Sequence, residues 1–222
     1  RWLSGRAKKS YLLRGKAVLS IPNPIDTKVY HPMDQGMARE LLGLPSGKRL
    51  LLFGALNVTD KRKGIDYLIE ALRRMEKQDV ELVVFGQVKD DIRGLFPVPI
   101  HSMGYLSDES KIVALYNAVD MFITSSLEEN LPNTIMESMA CGTPCVGFEI
   151  GGIPEMIDHR VNGYVANYKD AGDLANGIQW VLEHEDRLAL SDACVKKVQE
   201  NYTEEVVAKQ YTALYEKLLK GE

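Results

Sequence analysis

The sequence predicts an α/β fold: a Rossmann-like, doubly wound and mostly parallel sheet with a helical C-terminus. Two observations lead there. Apolar runs such as Leu50-Leu51-Leu52-Phe53 and Leu82-Val83-Val84-Phe85 are continuous rather than alternating, which marks strands covered on both faces. Segments of helical composition separate these runs, and that alternation builds a parallel sheet wrapped by helices. A chain of 222 residues with 45% hydrophobic content can bury a full core and is most simply one main domain.

The first sixteen residues carry Arg1, Arg6, Lys8, Lys9, Arg14 and Lys16 and no acid, a charge of +6 against −10 for the remainder. The apolar residues of Trp2–Leu13 form no clean helical stripe. A solvated helix that packs elsewhere is the favoured reading, and contact with anionic lipid is the alternative. Beyond this segment the strand candidates are 48–54, 80–86, 100–105, 121–125, 144–149 and 163–166. Each is a short run of β-forming or apolar residues, too short for a helix. The helix candidates between them are 64–77, 109–118 and 134–141, with a short one at 154–158. The third stops at Gly142, with Pro144 beyond it. After the last strand come helices at 171–184, 187–201 and 204–220. In the last of these Tyr211, Leu214, Tyr215 and Leu218 recur at helical spacing.

In a parallel sheet, ligands bind beyond the carboxyl ends of the strands. The candidate site residues collect there. Gly54 is expected after the first strand, Gly86-Gln87 after the second, Gly104-Tyr105 after the third, Glu129 after the fourth and Gly151-Gly152 after the fifth. Glu129 and Glu137 are the most informative pair, one on the loop after a strand and the other about a turn into the next helix. A carboxylate accepts hydrogen bonds in pairs, so each can hold a vicinal diol through charge-assisted bonds. The helix start between them offers free backbone N–H groups and the positive end of a dipole, which suits a phosphate. Diol, phosphate, diol describes a sugar nucleotide. The bland alternative is two surface acids that stabilise a helix start by roughly 0.3–1 kcal/mol. Lys61-Arg62-Lys63-Gly64 supplies cations that can neutralise a diphosphate; the alternative is a solvated basic turn. Tyr105 either flanks a nucleobase or caps the core. Gly151-Gly152 allows a close backbone approach, and Glu155 reads as an ordinary first-turn helix acid.

Composition narrows the function further. A net charge of −4 argues against a nucleic-acid surface. No apolar run reaches the roughly 18–20 residues of a membrane span, and no signal peptide is visible. Cys141, Cys145 and Cys194 are few and odd in number, which fits a reducing cytoplasm. Cys141 and Cys145 read as buried structural thiols, since two further ligands for a metal are lacking. The four histidines share no spacing that suggests a metal or a dyad.

These motifs together are similar to a known signature. Ser125-Ser126-Leu127-Glu128-Glu129, the Glu129–Glu137 spacing, the run from Glu137 through Gly142 to Pro144, and the run from Gly151-Gly152 to Glu155 resemble retaining glycosyltransferases of family 4. Lys63-Gly64, Gly104-Tyr105-Leu106 and Ile21-Pro22-Asn23-Pro24-Ile25-Asp26, with Pro32 behind it, extend the match in order along residues 20–170. The resemblance implies one lobe of the two-lobed GT-B fold. Residues 21–222 would be the C-terminal, donor-binding domain, and residues 1–20 a remnant helix of the first lobe with the inter-lobe linker. The implied activity is retaining transfer of a hexose to a glycan, lipid-linked or other acceptor, as in polysaccharide synthesis. The substrate would be a UDP-, GDP- or ADP-sugar, with no further cofactor and no metal.

The same resemblance distributes roles. Glu129, Lys63 and Arg62 are the implied catalytic set, with Glu129 on the sugar hydroxyls. Glu137 would take the ribose; Asn130, Leu131, Pro132, Asn133, Thr134, Lys61, Gly54, Ala55, Gly86, Tyr105 and Leu106 complete the donor site. The family carries an arginine just after the first strand. Here Ala55 stands in that region, and Arg62 or Lys61 is expected to supply the charge. The implied partner is an acceptor-binding N-terminal lobe of the same protein. A cytoplasmic location follows, with peripheral contact at the inner membrane face for the full-length enzyme and no transfer by this chain alone. The alternatives are a non-catalytic nucleotide-sugar module, which Ala55 favours, or a GT-B epimerase or phosphorylase. For the last two, neither a carboxylate–histidine set nor a pyridoxal-bearing lysine motif is seen.

Overall fold

In a computed structural model, residues 1–57, 60–75, 79–87 and 94–220 are described, without the side chains of 55–57 and 87. The expected helix end at Lys77 and the residue Val88 lie outside the described residues. Six strands form one sheet: β1 (Arg49–Asn57), β2 (Val80–Gln87), β3 (Ile100–Gly104), β4 (Met121–Thr124), β5 (Cys145–Phe148) and β6 (Gly163–Ala166). Their spatial order is β3-β2-β1-β4-β5-β6, and every pairing among them is parallel. The winding reverses between β1 and β4, the topological switch point at which open α/β sheets hold ligands.

Helices cover both faces. On one lie α3 (Ile65–Arg74) and α7 (Ala171–Leu182); on the other lie α2 (Gln35–Leu42), α4 (Glu109–Ala118), α5 (Asn133–Ala140), the short α6 (Ile153–Met156) and α8 (Arg187–Asn201). The two-residue period of β1 divides its side chains between them. Leu51 and Phe53 pack with Leu68, Leu72, Leu174 and Ile178. Leu50 and Leu52 pack with Tyr116, Ile135, Met136 and Cys194. α1 (Trp2–Lys9) buries no residue, and α9 (Glu204–Lys220) buries only Val207. The rest of α9's apolar stripe stands largely in solvent, as Tyr211, Tyr215 and Leu218 do. Among the described residues no helix is long and apolar enough to cross a membrane.

Two sequence expectations change here. Gly54 and Gly86 lie inside strands rather than in loops after them, because the β1–β2 ladder runs on to Asn57 and Gln87 through a register shift. Gly54 is paired with Phe85, whose ring fills the space a Cβ would occupy. Gly54 therefore serves packing within the sheet. α2 was not anticipated, although its ends are marked: the Asp34 carboxylate accepts from the Met37 N–H at 2.8 Å, and Gly43 closes the helix at φ 65°.

Opposite the carboxyl ends of the strands, Asp120 ties the fold together. Its buried carboxylate accepts from the Leu50 N–H (2.7 Å), Arg39 Nη2 (3.0 Å) and Arg187 Nη1 (2.6 Å). Arg39 is itself 5% exposed and also donates to the carbonyls of Ala118, Ser46 and Lys48. All three cysteines are buried and free, as their composition suggests; burial pushes the Cys141 and Cys145 thiols up to about 12.

Candidate functional site

The loop 125–132 leaves β4 at the switch point and enters α5. Its path is fixed by neighbours rather than by its own sequence. The Leu127 N–H donates to the Arg62 carbonyl (2.7 Å), Ser125 Oγ to the Lys63 carbonyl (2.9 Å), and the Tyr168 hydroxyl to the Leu127 carbonyl (3.2 Å). Three glycines let backbones touch. A Cβ on Gly64 would overlap the Ser125 carbonyl oxygen; on Gly151 it would overlap that of Glu129, and on Gly152 that of Asn130. Gly64 and Gly151 also hold φ values of 61° and 60°, where side chains are strained. The close approach offered by Gly151-Gly152 is thus toward the chain itself, and it seats the Glu129 loop.

The basic turn is a 3₁₀ turn, Lys61–Lys63, capped by Asp60. Its three cations differ. The Arg62 guanidinium folds back on Asp60, with Nη2 at 2.7 Å, and this bond holds the Asp60 carboxyl down to about 2. Lys61 is exposed. Lys63 reaches across the switch point, its Nζ 2.6 Å from Glu129 Oε1, with the two side chains 33% and 16% exposed. One cation and one carboxylate, 66 residues apart in sequence, meet at the mouth of the sheet.

Beside them, α5 begins with Pro132 at its cap and no capping side chain. The same holds for α3 after β1 and α6 after β5. The helices that follow the edge strands, α4 and α7, are capped by Asp108 and Asp170. Among the described residues, the helix starts after β1, β4 and β5 thus lack a side-chain cap, while those after the edge strands have one. Asn133 is exposed, with Nδ2 of Asn23 3.5 Å from its Oδ1; Pro132 is buried, and Leu131 and Thr134 are partly so.

One turn further along α5, Glu137 is half-buried. Its Oε2 accepts from the Tyr116 hydroxyl at 2.8 Å. Burial raises the Glu137 pKa, the Tyr116 bond opposes that, and the Glu109 charge adds to it. Tyr105 is 67% exposed and stands in solvent rather than over the core, whereas Leu106 packs on the second core. The side chain of Ala55 lies outside the described residues. Glu155 sits in the first turn of α6 and accepts from the Trp2 N–H. A cleft of about 470 Å³ opens among Trp2, Leu127, Glu128, Glu129, Asn130 and Ile150. A second cavity, about 450 Å³, shares Asn130 and lies between α1, α8 and α9. Among the described residues no three His, Cys, Asp or Glu side chains form a metal-holding group.

The structure therefore brings Lys63, Glu129, Asn130 and the start of α5 together, with Glu137 one turn behind. It turns Arg62 toward Asp60 and sets Gly54 within the sheet. Sequence reasoning missed Tyr116, Tyr168 and Asp60. Only Asp60 had a local signal, as an Asx cap two residues before Arg62.

Comparison with known proteins fits this geometry. The profile of the family described as "Glycosyl transferases group 1" matches residues 47–184. N-acetyl-alpha-D-glucosaminyl L-malate synthase of Bacillus anthracis is 24% identical over 93% of this chain and 55% of its own length. The chain thus spans about half the length of that relative. The C-terminal domain of a glycosyl transferase group 1 family protein (LpcC) from Francisella tularensis superposes with a TM-score of 0.67 at 21% identity, over 81% of this chain and 99% of that one. Anabaena Alr3699/HepE, solved in complex with UDP-glucose, superposes with a TM-score of 0.74 at 22% identity, over 88% of this chain and 56% of its own.

Proposed function

From the premise that the chain belongs to the glycosyl transferases group 1 family, we propose that it is the donor-binding half of a retaining glycosyltransferase and takes a nucleotide-diphosphate sugar. Its architecture is the Rossmann-like C-terminal lobe of the GT-B fold. In this reading, residues 21–222 are the donor domain and residues 1–20 belong to the passage from an acceptor-binding lobe. The observation that carries the proposal is the Lys63–Glu129 pair at the switch point, beside the open N-terminus of α5. Without ligand the two charges neutralise each other. An arriving diphosphate displaces the single carboxylate from Lys63 and settles at the start of α5, which no side chain caps. Glu129 is then released to accept from the hydroxyls of the sugar, while Glu137 accepts from the ribose.

Lys63 and the α5 dipole would stabilise the charge that develops on the departing diphosphate. Glu129 would align the sugar for the acceptor, a reaction that depends on geometry more than on a protein base. Arg62, turned onto Asp60, contributes field rather than contact. That UDP-glucose occupies a protein of the same fold supports the substrate class.

Thermal unfolding of this chain with UDP-, GDP- and ADP-sugars tests the reading. A true donor at a hundredfold excess over Kd stabilises by roughly 2.7 kcal/mol, or about 5–10 °C for a domain of this size. No shift with any of the three would reject a donor lobe.

A further inference from the structure

We propose that Tyr116 is a positioning residue of this site: it acts on the nucleotide's ribose through Glu137 and sets the preference for a ribonucleotide over a deoxyribonucleotide. The inference rests on the donor reading above and names a residue that reading does not include. Tyr116 lies on α4, one helix away from Glu137 on α5, and is fully buried. Its ring is wedged edge-on between Phe85 of β2 and Phe122 of β4, with centroids at 6.3 and 6.1 Å and interplanar angles of 81° and 84°. Its own carbonyl accepts from Thr143 Oγ1 at 2.7 Å, which fixes the C-terminal turn of α4. A fully buried ring wedged between two others on a backbone fixed in this way is held to one rotamer, so its hydroxyl is a fixed point.

That hydroxyl donates to Oε2 of Glu137, and no other hydrogen bond reaches the carboxylate among the described residues. The consequence is a division of labour between the two oxygens. Oε2 is tied to Tyr116; Oε1 accepts no hydrogen bond among the described residues and is left for a ligand. A glutamate side chain has three rotatable bonds and loses entropy when ordered. Anchoring one oxygen beforehand removes that cost from binding and leaves the other aimed at a hydroxyl of the ribose. A carboxylate so oriented discriminates by what is absent. A nucleotide lacking the 2′-hydroxyl leaves the half-buried oxygen without its partner.

The test uses the 222-residue chain with UDP, GDP and ADP, each beside its 2′-deoxy analogue. For wild type, the ribonucleotide that binds should do so at least about tenfold more tightly than its deoxy form, the worth of a hydrogen bond to a charged group. Tyr116→Phe should lower affinity for the ribonucleotide several-fold, leave the deoxynucleotide within about twofold, and shrink the ratio to about threefold or less. In a Glu137→Gln background, Tyr116→Phe should change neither affinity. A merely structural Tyr116 would weaken both nucleotides alike and keep the ratio, and that result overturns the inference. A wild-type ratio near one overturns it too, while the donor reading stands. Failure of all three ribonucleotides to bind wild type rejects the donor reading and this inference together. Should Tyr116→Phe not fold, the Tyr116 hydroxyl proton decides in the wild-type chain by NMR. It should be slow to exchange and should shift with the ribonucleotide but not with the deoxy form; equal response to both overturns the assignment.

Discussion

Lys63 and Glu137 make opposite kinds of sense as single residues. Lys63 is stabilised by what it touches, since its ammonium lies 2.6 Å from Glu129 in a partly covered site. Replacing it with alanine should weaken nucleoside diphosphate binding by roughly tenfold or more, the loss of a charge-assisted contact. Lys61→Ala and Arg62→Ala should each stay within about threefold, because one is solvated and the other is spent on Asp60. Calorimetric titration of the three variants ranks them, and equal effects would reduce the cluster to a solvated turn. Glu129→Gln should spare the free diphosphate, by freeing Lys63, and reduce only the increment contributed by the sugar. Glu137 is held in place at a cost, because burial lifts its pKa above the usual carboxylate value. A folded chain with the higher pKa binds more protons than the unfolded one, so stability falls as pH rises through the folded pKa. Glu137→Gln is therefore expected to match or exceed wild type in thermal midpoint at pH 7, and the difference should vanish below the unfolded pKa of roughly 4.3. The same variant should bind nucleotide less well, the usual exchange of stability for function. A midpoint lowered at pH 7 would mean that the carboxylate stabilises the fold. Of these residues, the sequence displays the two glutamates by spacing and Lys63 by its glycine. Tyr116, and the pairing of Lys63 with Glu129, arise from contacts across the fold, and no local pattern announces them.

Elements were legible where composition and caps agree, and less so where tertiary contact decides. α4, α8 and α9 begin and end where propensity predicts; both ends of α5 move by one residue and the last turn of α7 by two, as helix ends do. β1 and β2 outran their predicted ends because Gly54, normally a breaker, is packed against Phe85 within the ladder, which resumes at Asn57 and Gln87. The strand order could not be read at all, for it depends on which apolar runs pair. The loops at the switch point show why glycine matters most between elements. Gly151 combines φ 60° with a backbone contact to Glu129, so Gly151→Ala adds strain and steric overlap at once. It should destabilise the chain by about 1–3 kcal/mol and displace Glu129. Titration with the diphosphate and its sugar conjugate should then find the diphosphate's affinity nearly kept and the sugar's increment lost. If the sugar's increment survives intact, the Gly151–Glu129 contact does not position the loop.

The whole molecule separates stability from binding along the strand axis. At one end Asp120 gathers Arg39, Arg187 and the Leu50 N–H; at the other lie the proposed donor residues. Asp120→Asn leaves the buried Arg39 guanidinium without its counter-ion and should cost about 3–5 kcal/mol. Donor affinity, measured well below the lowered midpoint, should be unchanged, because Asp120, Arg39 and Arg187 do not line the cleft. A different separation governs turnover. The relative named above is about twice as long as the stretch this chain matches, while an isolated C-terminal domain of the same family has a structure of its own. A lobe with its own core can fold and can offer a diphosphate Lys63, the α5 N-terminus and Glu137. In the proposed reading such a lobe does not by itself close a cleft over the sugar: among the described residues, the opening beside Glu129 is lined by Trp2 of α1, a helix that buries nothing, and by the 127–130 loop with Ile150. Transfer requires an acceptor hydroxyl held within near-attack distance, and an open face supplies no such alignment. The 222-residue chain alone should therefore bind a nucleoside diphosphate yet transfer no sugar, with slow donor hydrolysis as its only turnover, since water needs no acceptor pocket. Incubation with the stabilising donor and candidate acceptors, followed by mass detection of products, checks this. Transfer at a rate above hydrolysis would place the acceptor site within these residues and undo the division into two lobes.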